Sequence, residues 1–291
     1  MKKVILCPNP YRDKGLEAAK EAAEILASVG LRTVACLPFK MEGGEPPRDL
    51  PLRPLHQELR SSDLIITFGG DGTILHLAKT AAIRRLPLLG VNLGSLGFMS
   101  ELERNEMYLL KNLAAGAFKR ERRMMLEVSV YRDNRKVYEN IGLNDAVIGK
   151  GAVARIIRME VTVGEASLGL LEGDGVVIAT PTGSTGYSMS AGGPIVEPTA
   201  RNFVVSPICA HSIHSNSYVM SAESTIRVHP REIGRKPVFL SVDGGRIFSL
   251  RSGDEVLIRN SKYETELIRL SDRSIFEILR RKMTGVLQHE E

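Results

Sequence analysis

A glycine-rich segment carries the sharpest chemical signal in the sequence, Phe68-Gly69-Gly70-Asp71-Gly72-Thr73. It follows an apolar strand and precedes a helix predicted to begin at Thr73. Glycines let the backbone approach a ligand closely, and the first N–H groups of a helix suit a phosphate. A carboxylate in such a loop is useful when it meets Mg²⁺ or takes the proton of an attacking hydroxyl. The alternative is a structural turn in which Asp71 caps the helix.

Two further segments place polar groups beside predicted strands. Gly90-Val91-Asn92-Leu93-Gly94-Ser95-Leu96-Gly97-Phe98 follows a strand, where the carboxyl edge of a parallel sheet binds ligands. The alternative there is a plain connector. Asn144-Asp145 precedes the strand Ala146–Ile148, and an amide beside a carboxylate can hydrogen-bond a ribose or an adenine edge. Such pairs also form ordinary turns.

The longest polar segment is Thr180–Ser188, which runs into Ser190-Ala191-Gly192-Gly193-Pro194. We expect Ser184 or Thr185 to cap a helix whose first N–H groups face a ligand. Tyr187 can stack on a base or on a nicotinamide ring. Gly173-Asp174-Gly175, at the start of the preceding strand, repeats the pattern of Gly70-Asp71-Gly72. The alternative is a polar loop of a β domain.

Other chemical candidates are weak. His211 and His214 have no acidic partner at metal-ligand spacing, so a metal site there is not expected. The three cysteines are widely spaced, which favours small buried thiols in a reducing cytosol over a disulfide framework. The charged run Lys119–Arg123 is read as a solvated boundary. A GxSxG nucleophile elbow is absent from the sequence.

Two patterns of hydrophobic periodicity position these segments. Before residue 118, strands alternate with helical patterns, which predicts a parallel sheet with helices on its faces. From about residue 120 the period is mainly 2, with an Asp133-Asn134 turn, which predicts an antiparallel, sandwich-like domain. The predicted early elements are strands Lys3–Cys7, Val34–Leu37, Asp63–Phe68 and Pro87–Val91, helices carrying Leu16 to Val29, Ile74–Ala82 and Glu103–Ala115, and a loop over Pro38–Pro54.

The later part of the chain is predicted to be mostly short strands. These are Lys136–Glu139, Ile156–Val163, Val176–Thr180, Thr225–Val228, Val238–Val242, Ile247–Leu250, Glu255–Ile258 and Thr265–Leu270. A last helix is predicted over Ser274–Lys282. The expected fold class is therefore α/β plus β, with an α/β nucleotide-binding domain over residues 1–118 and a β-rich domain over residues 119–271. The terminal helix, residues 272–291, is expected to pack back on the first domain.

Composition limits the classes of function. The 291 residues carry 39 Lys+Arg and 34 Asp+Glu, a net charge of +5, which fits a small anionic ligand as well as a nucleic acid. Tryptophan is absent and aromatic residues are 5 %, so a nucleic-acid surface based on stacking is not expected. No window has the roughly 20 apolar residues of a membrane span, and the apolar run at the N-terminus ends at Pro8. These features predict a soluble, cytoplasmic protein.

Together the motifs resemble the NAD kinase family. The matching pieces are Gly69–Thr73, Asn92–Phe98, Asn144-Asp145, Gly173-Asp174-Gly175, Thr180–Ser188 with Ala191-Gly192-Gly193-Pro194, and Val242-Asp243-Gly244. Lipid kinases and phosphofructokinases carry glycine loops like the first, but the Thr-Pro-Thr-Gly-Ser-Thr segment makes the combination specific.

The resemblance implies a site between the two domains that transfers the γ-phosphoryl group of ATP to the 2′-hydroxyl of the adenosine ribose of NAD, making NADP. It implies Mg²⁺, or another divalent cation, carried with ATP and not fixed by the protein, and a homodimer or homotetramer built through the β domain. Asp71 would be catalytic, and Gly69, Gly70, Gly72 and Thr73 would hold phosphate. The NAD-binding residues would be Gly72, Phe98, Asn144, Asp145, Asp174, Thr185, Gly186, Tyr187 and Ser190.

Two positions depart from the family pattern. Gly186 stands where the family usually has Ala, and Asp145 stands where many members have Glu. Neither change removes a functional group, so the changes affect the expected affinity more than the activity. A lipid kinase and a non-catalytic NAD or NADP sensor remain alternatives. The first would favour a membrane-facing surface, and the second would be marked by loss of Asp71.

Overall fold

The structure is a computed structural model that describes residues 1–39, 50–94, 97–151, 156–211, 216–231 and 237–287. Part of the predicted loop Pro38–Pro54, Ser95 and Leu96 of the second glycine segment, and His214 lie outside the described residues. The chain divides into two compact units, Met1–Arg122 with Thr265–Glu291, and Arg123–Glu264. We call them the N-terminal unit and the C-terminal unit.

The described residues form strands and helices along the whole chain. The helices are α1 Glu17–Ser28, α2 Leu55–Glu58, α3 Asp71–Arg84, α4 Asn112–Ala115, α5 Tyr187–Ser190 and α6 Ile275–Leu287, with 3-10 turns at Lys14–Leu16, Arg104–Lys111 and Thr182–Thr185. The strands are β1 Lys3–Pro8, β2 Arg32–Ala35, β3 Leu64–Gly69, β4 Leu88–Asn92, β5 Leu102–Glu103, β6 Lys119–Arg132, β7 Arg135–Gly142, β8 Asp145–Lys150, β9 Ile157–Val163, β10 Ala166–Gly173, β11 Gly175–Ala179, β12 Asn202–Ile208, β13 Tyr218–Ser221, β14 Ile226–Arg231, β15 Val238–Val242, β16 Phe248–Leu250 and β17 Glu255–Arg269.

The N-terminal unit is built on a parallel sheet, as the alternating pattern predicts. Its central strands run in the order β2-β1-β3-β4. The strands read as continuous apolar runs because both faces are covered. Helix α1 buries Ala18, Ala19, Ala22 and Leu26 in one core, while α3 buries a stripe that includes Ile74 and Leu77. The parallel strands carry their carboxyl ends, and the glycine segments that follow them, to one edge of the sheet.

The C-terminal unit is an antiparallel sandwich, which confirms the second half of the predicted fold class. One sheet contains β9, β10, β14 and the first part of β17, and the other has the order β13-β12-β11-β8-β15-β16. Apolar residues from both sheets, including Val128, Ile148, Val161 and Ile178, form one core. The Asp133-Asn134 turn between β6 and β7 has φ of 49° and 59°, as a two-residue type I′ hairpin requires.

Several predicted elements needed correction. The Glu103–Ala115 pattern divides into a 3-10 segment and the short α4, and the predicted strand Val34–Leu37 lies two residues earlier, at β2. The predicted strands Glu255–Ile258 and Thr265–Leu270 belong to one strand, β17. The composition of the polar run Asn260-Ser261-Lys262 indicates a turn, but in the structure this run continues the strand. Strands β5, β10, β12 and β13 were missed. No helix among the described residues is long and apolar enough to cross a membrane.

Candidate functional site

The glycine loop of the N-terminal unit places Asp71 inside a helix, not at its cap. Strand β3 ends at Gly69, Gly70 is the N-cap residue, and Asp71 is the first residue of α3. The capping alternative for Asp71, and the predicted helix start at Thr73, are therefore wrong. The N–H groups of Asp71 and Gly72 have no carbonyl partner within the helix, since an α-helix leaves its first N–H groups unpaired. They are available to an anion.

The Asp71 carboxylate ties the loop to the second glycine segment. Its Oδ2 accepts the backbone N–H of Phe98 at 2.6 Å, and its Oδ1 accepts the N–H groups of Met99 at 3.1 Å and Ser100 at 3.3 Å. The Ser100 hydroxyl also donates to Oδ1, at 3.2 Å. Oδ2 has a single partner among the described residues, so it keeps acceptor capacity for a hydroxyl.

This tie requires a glycine at position 97. A Cβ atom on Gly97 would lie 2.1 Å from Asp71 Oδ1 and 2.8 Å from its Cγ, which no real side chain tolerates. By contrast, a Cβ on Gly70, Gly72 or Gly94 would meet no protein atom within 4 Å. Packing within the protein therefore explains why residue 97 must be glycine, but it does not explain the glycines at positions 70 and 72. Close approach of a ligand would explain the latter two.

Thr73 has a structural role. Its side chain is 2 % exposed, and its hydroxyl accepts a hydrogen bond from Asn9 Nδ2 at 3.3 Å. Its backbone N–H donates to Gly70 O at 2.9 Å. A Cβ on Gly69 would lie 2.4 Å from the Thr73 hydroxyl, so Gly69 makes room for Thr73. The groups left for phosphate in this loop are the backbone N–H groups of Gly70, Asp71 and Gly72.

Asn92 joins the two glycine segments at the end of β4. Its Nδ2 donates to Gly94 O at 3.0 Å, and the next backbone N–H, of Leu93, donates to Gly69 O at 2.8 Å. The buried Asn92 Oδ1 has no hydrogen-bond partner in the described part of the chain. A surface pocket of about 540 Å³ includes Asn92 and Gly94. Its charged lining residues are three basic ones, Arg12, Lys14 and Arg104, and three acidic ones, Asp13, Glu17 and Glu103.

In the C-terminal unit, Asp243 holds the Asn144-Asp145 segment. Its Oδ1 accepts the backbone N–H groups of Asn144 at 2.7 Å and Asp145 at 3.0 Å, and its Oδ2 accepts the N–H of Leu143 at 2.7 Å. Asp243 adopts φ of 52°, a conformation that Asp tolerates better than most residues. The Asn144 Oδ1 atom is buried without a hydrogen-bond partner among the described residues.

The Asp145 carboxyl group has an unusual proton affinity. Burial, and second the charge of Asp243, raise the pKa of Asp145 to about 7. Burial also raises the pKa of Asp243, although the N–H groups of Leu143, Asp145 and Asn144 oppose that shift. Two buried carboxyls side by side favour one proton between them. Asp145 therefore changes charge near neutral pH.

The Thr180–Ser188 loop packs on the same segment. Thr180 N–H donates to Asn144 O at 2.8 Å, and a Cβ on Gly183 would lie 2.1 Å from that oxygen. A Cβ on Gly186 would lie 3.7 Å from Asn144 Nδ2 and 3.9 Å from Asp145 Oδ2, so the structure brings Gly186 to the predicted NAD residues. Tyr187, 45 % exposed, and Ser190 follow in α5.

The predicted helix caps in this loop are wrong. Ser184 donates to Pro181 O at 2.7 Å and accepts the N–H of Val196 at 3.0 Å, and Thr185 donates to Thr182 O at 3.3 Å. The residue before α5 is Gly186, and it has no side chain to cap with. The hydroxyls fix the loop to its own carbonyls instead. Arg123 is buried and donates a hydrogen bond to the Thr182 hydroxyl at 3.1 Å. The prediction that Lys119–Arg123 is a solvated boundary is therefore wrong for Arg123.

Asp174 lies apart from this cluster within the chain. Strand register pairs Gly175 with Gly149 and Ala179 with Asp145, so Asp174 and Asp145 lie at opposite ends of the β8–β11 pair. At about 3.4 Å per residue, that separation is roughly 15 Å. Asp174 forms an ion pair with Lys150, whose Nζ is 2.5 Å from Asp174 Oδ1.

Sequence reasoning missed several residues that shape the site. Asp243 was noted in a motif but was given no role, although an Asp-Gly pair after a strand indicates a turn that can present a carboxylate. Asn9 directly follows β1, a position that indicates proximity to the other loops at the sheet edge. No group of three or more His, Cys, Asp and Glu residues able to hold a metal ion occurs in the described part of the chain. The thiols of Cys7, Cys36 and Cys209 are free. Cys7 and Cys36 are buried, but Cys209 is exposed, so the expectation of buried thiols is wrong for Cys209.

Comparison with known proteins agrees with these features. The ATP-NAD kinase N-terminal domain model matches residues 51–117, and the ATP-NAD kinase C-terminal domain model matches residues 143–270. An NAD kinase of Acetivibrio thermocellus is 34 % identical over 284 residues, covering 97 % of both chains. An NAD kinase of Syntrophotalea carbinolica is 45 % identical over 222 residues, 76 % of this chain and 78 % of the relative.

The fold agrees as well. The crystal structure of yeast NADH kinase complexed with NADH superimposes with a TM-score of 0.82 at 26 % identity, over 99 % of this chain and 88 % of that one. The two domain models together match residues 51–117 and 143–270, and the first relative covers 97 % of this chain. The chain therefore belongs to the ATP-NAD kinase family.

Proposed function

We propose that Asp71 is the general base of an NAD kinase reaction in this chain. The reaction is that of the family, ATP-dependent phosphorylation of NAD to NADP. The observation that carries the residue assignment is the position of the Asp71 carboxylate. It lies at the start of α3, beside the unpaired N–H groups of the glycine loop, with Oδ2 accepting a single hydrogen bond among the described residues.

The proposed step couples the transfer of a proton to the transfer of a phosphoryl group. The 2′-hydroxyl of the adenosine ribose gives its proton to Asp71 Oδ2 as its oxygen forms a bond to the γ-phosphorus of ATP. The bond between that phosphorus and the bridging oxygen breaks, and ADP leaves. Phosphoryl transfer depends on positioning and charge stabilisation more than on covalent chemistry. General-base assistance typically contributes about 10²–10⁴-fold.

Backbone N–H groups and basic side chains are proposed to hold the donor. The N–H groups of Gly70, Asp71 and Gly72 offer hydrogen bonds at the positive end of the α3 dipole. Gly69 and Thr73 support this loop through packing, so their proposed part in phosphate binding is indirect. Arg12 and Lys14 line the pocket beside Asn92 and are proposed to contact phosphate oxygens, while Asp13, Glu17 and Glu103 in the same pocket offset their charge.

The acceptor is proposed to be bound by the Asn144 cluster. Asn144 Oδ1 is a buried acceptor without a protein partner among the described residues, and an ionised Asp145 accepts hydrogen bonds from ribose hydroxyls. Thr185, Gly186, Tyr187 and Ser190 are proposed to line the same NAD pocket. Phe98 and Gly72 are also proposed to contact NAD, and Asp174 to bind the nicotinamide side.

A divalent cation is proposed to arrive with ATP, where it neutralises the phosphate charge that develops during transfer. Asp71 is a single carboxylate, and Mg²⁺ usually keeps waters and binds through phosphates. The residues present therefore fit a cation carried by the nucleotide. A homodimer or homotetramer built through the C-terminal unit and a cytoplasmic location complete the proposal. Size-exclusion chromatography with light scattering tests the oligomeric state.

One assay tests the proposed function. The purified chain is incubated with NAD and MgATP, and product is read with an NADP-specific dehydrogenase. We expect NADP to form, to stop after exhaustive EDTA treatment, and to resume with Mg²⁺ or Mn²⁺. Diacylglycerol and sphingosine in place of NAD should give no product. Tight NAD binding without turnover would indicate a sensor, and turnover that persists after EDTA treatment would contradict the cation's role.

A further inference from the structure

A basic pocket lies at the opposite edge of the N-terminal sheet from the glycine loop. Its volume is about 610 Å³, and its lining includes Asp63 and Pro87, which directly precede β3 and β4, and Met1, two residues before β1. Because these strands are parallel, their first residues lie far from the Gly69–Thr73 loop. The length of β3 gives a separation of roughly 20 Å at about 3.3 Å per residue. Four arginines line this pocket: Arg60, Arg84, Arg85 and Arg120.

Three of these four guanidinium groups lack a carboxylate partner in the described part of the chain. Arg120 alone is paired, with Glu266 at 2.5 Å, and it also lies over the Phe118 ring at 5.8 Å. Asp63 is the one acidic residue among the described lining residues. Its Oδ2 already accepts the backbone N–H groups of Lys2 at 2.6 Å and Lys3 at 3.0 Å. The pocket therefore carries an excess of positive charge.

Ser62, in the wall of the pocket, carries a buried hydroxyl. Ser62 is 8 % exposed, and its hydroxyl has no hydrogen-bond partner in the described residues. A buried polar group without a partner lowers the stability of the folded chain. Rotation of the Ser62 side chain toward the cavity would let a ligand oxygen give this hydroxyl a partner.

Helix-end electrostatics accounts for only part of this arrangement. Arg84 is the last residue of α3 and Arg85 its C-cap, where a cation complements the negative end of the helix dipole. Arg85 takes that place with φ of 56°, a conformation for which glycine is the usual choice. Helix-end stabilisation does not require Arg60 and Arg120, from other elements, to line the same cavity.

We propose that this pocket, hereafter the edge pocket, binds a small polyanion that carries two or more phosphate groups. Guanidinium groups suit such ligands because each presents a planar set of donors to phosphate oxygens. Phe118 and Leu86 add an apolar wall that fits a phosphorylated organic molecule as well as an inorganic one. The site is separate from the donor-phosphate site of the proposed function and stands without it.

The absence of tryptophan allows a direct test. Phe118→Trp places a single indole fluorophore in the edge pocket, and inorganic pyrophosphate is titrated at constant ionic strength. We expect a saturable change in emission. Adding Arg60→Gln and Arg84→Gln to the reporter should weaken binding tenfold or more. Arg32→Gln, an exposed arginine at the same sheet edge but outside the pocket lining, should leave it unchanged.

A second measurement uses the unaltered chain. Phenylglyoxal modifies accessible arginines, and peptide mass spectrometry reads each position. Pyrophosphate should protect Arg60, Arg84 and Arg85 but not Arg32. No protection, or a titration that is unchanged by the two arginine substitutions, overturns the proposal. Equal protection by the same concentration of sulfate would show a general anion surface and would likewise overturn a polyphosphate site.

Discussion

Asp243 and Asp145 are joined by two reciprocal hydrogen bonds, one to a carboxylate oxygen and one to a backbone carbonyl. Asp243 Oδ1 accepts the Asp145 N–H at 3.0 Å, and the Asp145 carbonyl accepts the Asp243 N–H at 3.0 Å. The arrangement fixes the Asn144-Asp145 segment and brings two buried carboxyls together. The pKa of Asp145 is raised to about 7 as a result of burial and of the Asp243 charge. We therefore expect the stability of the protein to depend on pH.

Asp145→Asn should stabilise the protein above neutral pH. Between the ordinary pKa of 3.8 and about 7, the folded chain binds a proton at Asp145 that the unfolded chain has lost. Unfolding free energy therefore falls as pH rises through this window. Since Asn does not titrate, the variant should exceed the parent by about 1–3 kcal/mol at pH 8 and show no such gain at pH 4. Urea unfolding at the two pH values measures this, and an equal difference at both would contradict it.

Gly97→Ala and Gly94→Ala form a matched pair. A Cβ at position 97 collides with the Asp71 carboxylate, whereas a Cβ at position 94 meets no protein atom within 4 Å. Gly97→Ala should lower the unfolding free energy by about 1–3 kcal/mol, the usual cost of overpacking. Gly94→Ala should leave it nearly unchanged. Thermal unfolding of both variants makes the comparison, and equal midpoints would mean that the tie from Asp71 adds little stability.

Gly72→Ala separates stability from ligand approach. Gly72 lies in the first turn of α3, where a Cβ meets no protein atom and Ala is the better helix former. The variant should be as stable as the parent or slightly more stable. The KM for ATP should nevertheless rise at least tenfold, because the methyl group occupies the space proposed for phosphate. Steady-state kinetics with an unchanged KM for ATP would remove Gly72 from the donor site.

Tyr187→Ala tests the assignment of the long polar loop. Tyr187 is 45 % exposed in α5, and Tyr108, 62 % exposed in the N-terminal unit, provides a control. Loss of a stacked ring should weaken NAD binding by about 1–3 kcal/mol with little change for ATP. Tyr108→Ala should change neither affinity. Calorimetry in which ATP binding suffers more than NAD binding would show that the loop serves the other substrate.

Sequence patterns predicted the local parts of the site well. The strand, glycine turn and helix around Asp71 are encoded within about ten residues, and the structure places each of them there. The parallel sheet and the antiparallel sandwich follow from hydrophobic periods of the same local kind.

Hydrogen bonds between residues far apart in the sequence could not be predicted from these local patterns. The contact of Asp71 with Phe98 spans 27 residues, and that of Asp243 with Asp145 spans 98. A side chain that bonds a distant backbone N–H leaves no periodic signal, and it requires the fold to be known. The strand β12 was missed because of its composition. Its Pro207 and Ser206 lie in the strand interior, where composition alone argues against a strand.

The kinetics and binding of Asp71→Asn test the central claim most directly. The substitution is nearly isosteric but cannot take the hydroxyl proton. It also places an amide NH₂ group, which is a donor, against the N–H group of Phe98 or Met99, which is a donor as well. We therefore expect a lower thermal midpoint. Ser100→Ala, which removes only the hydroxyl bond to Asp71 Oδ1, is the control for this structural effect. It should retain most activity.

Assayed well below both midpoints, Asp71→Asn should bind NAD within about threefold of the parent while kcat falls roughly 10²-fold or more. Calorimetry gives the first quantity and the coupled NADP assay gives the second. If Asp71→Asn keeps the full kcat, Asp71 is not the proton acceptor, and the carboxylate serves only to hold the Phe98–Ser100 segment.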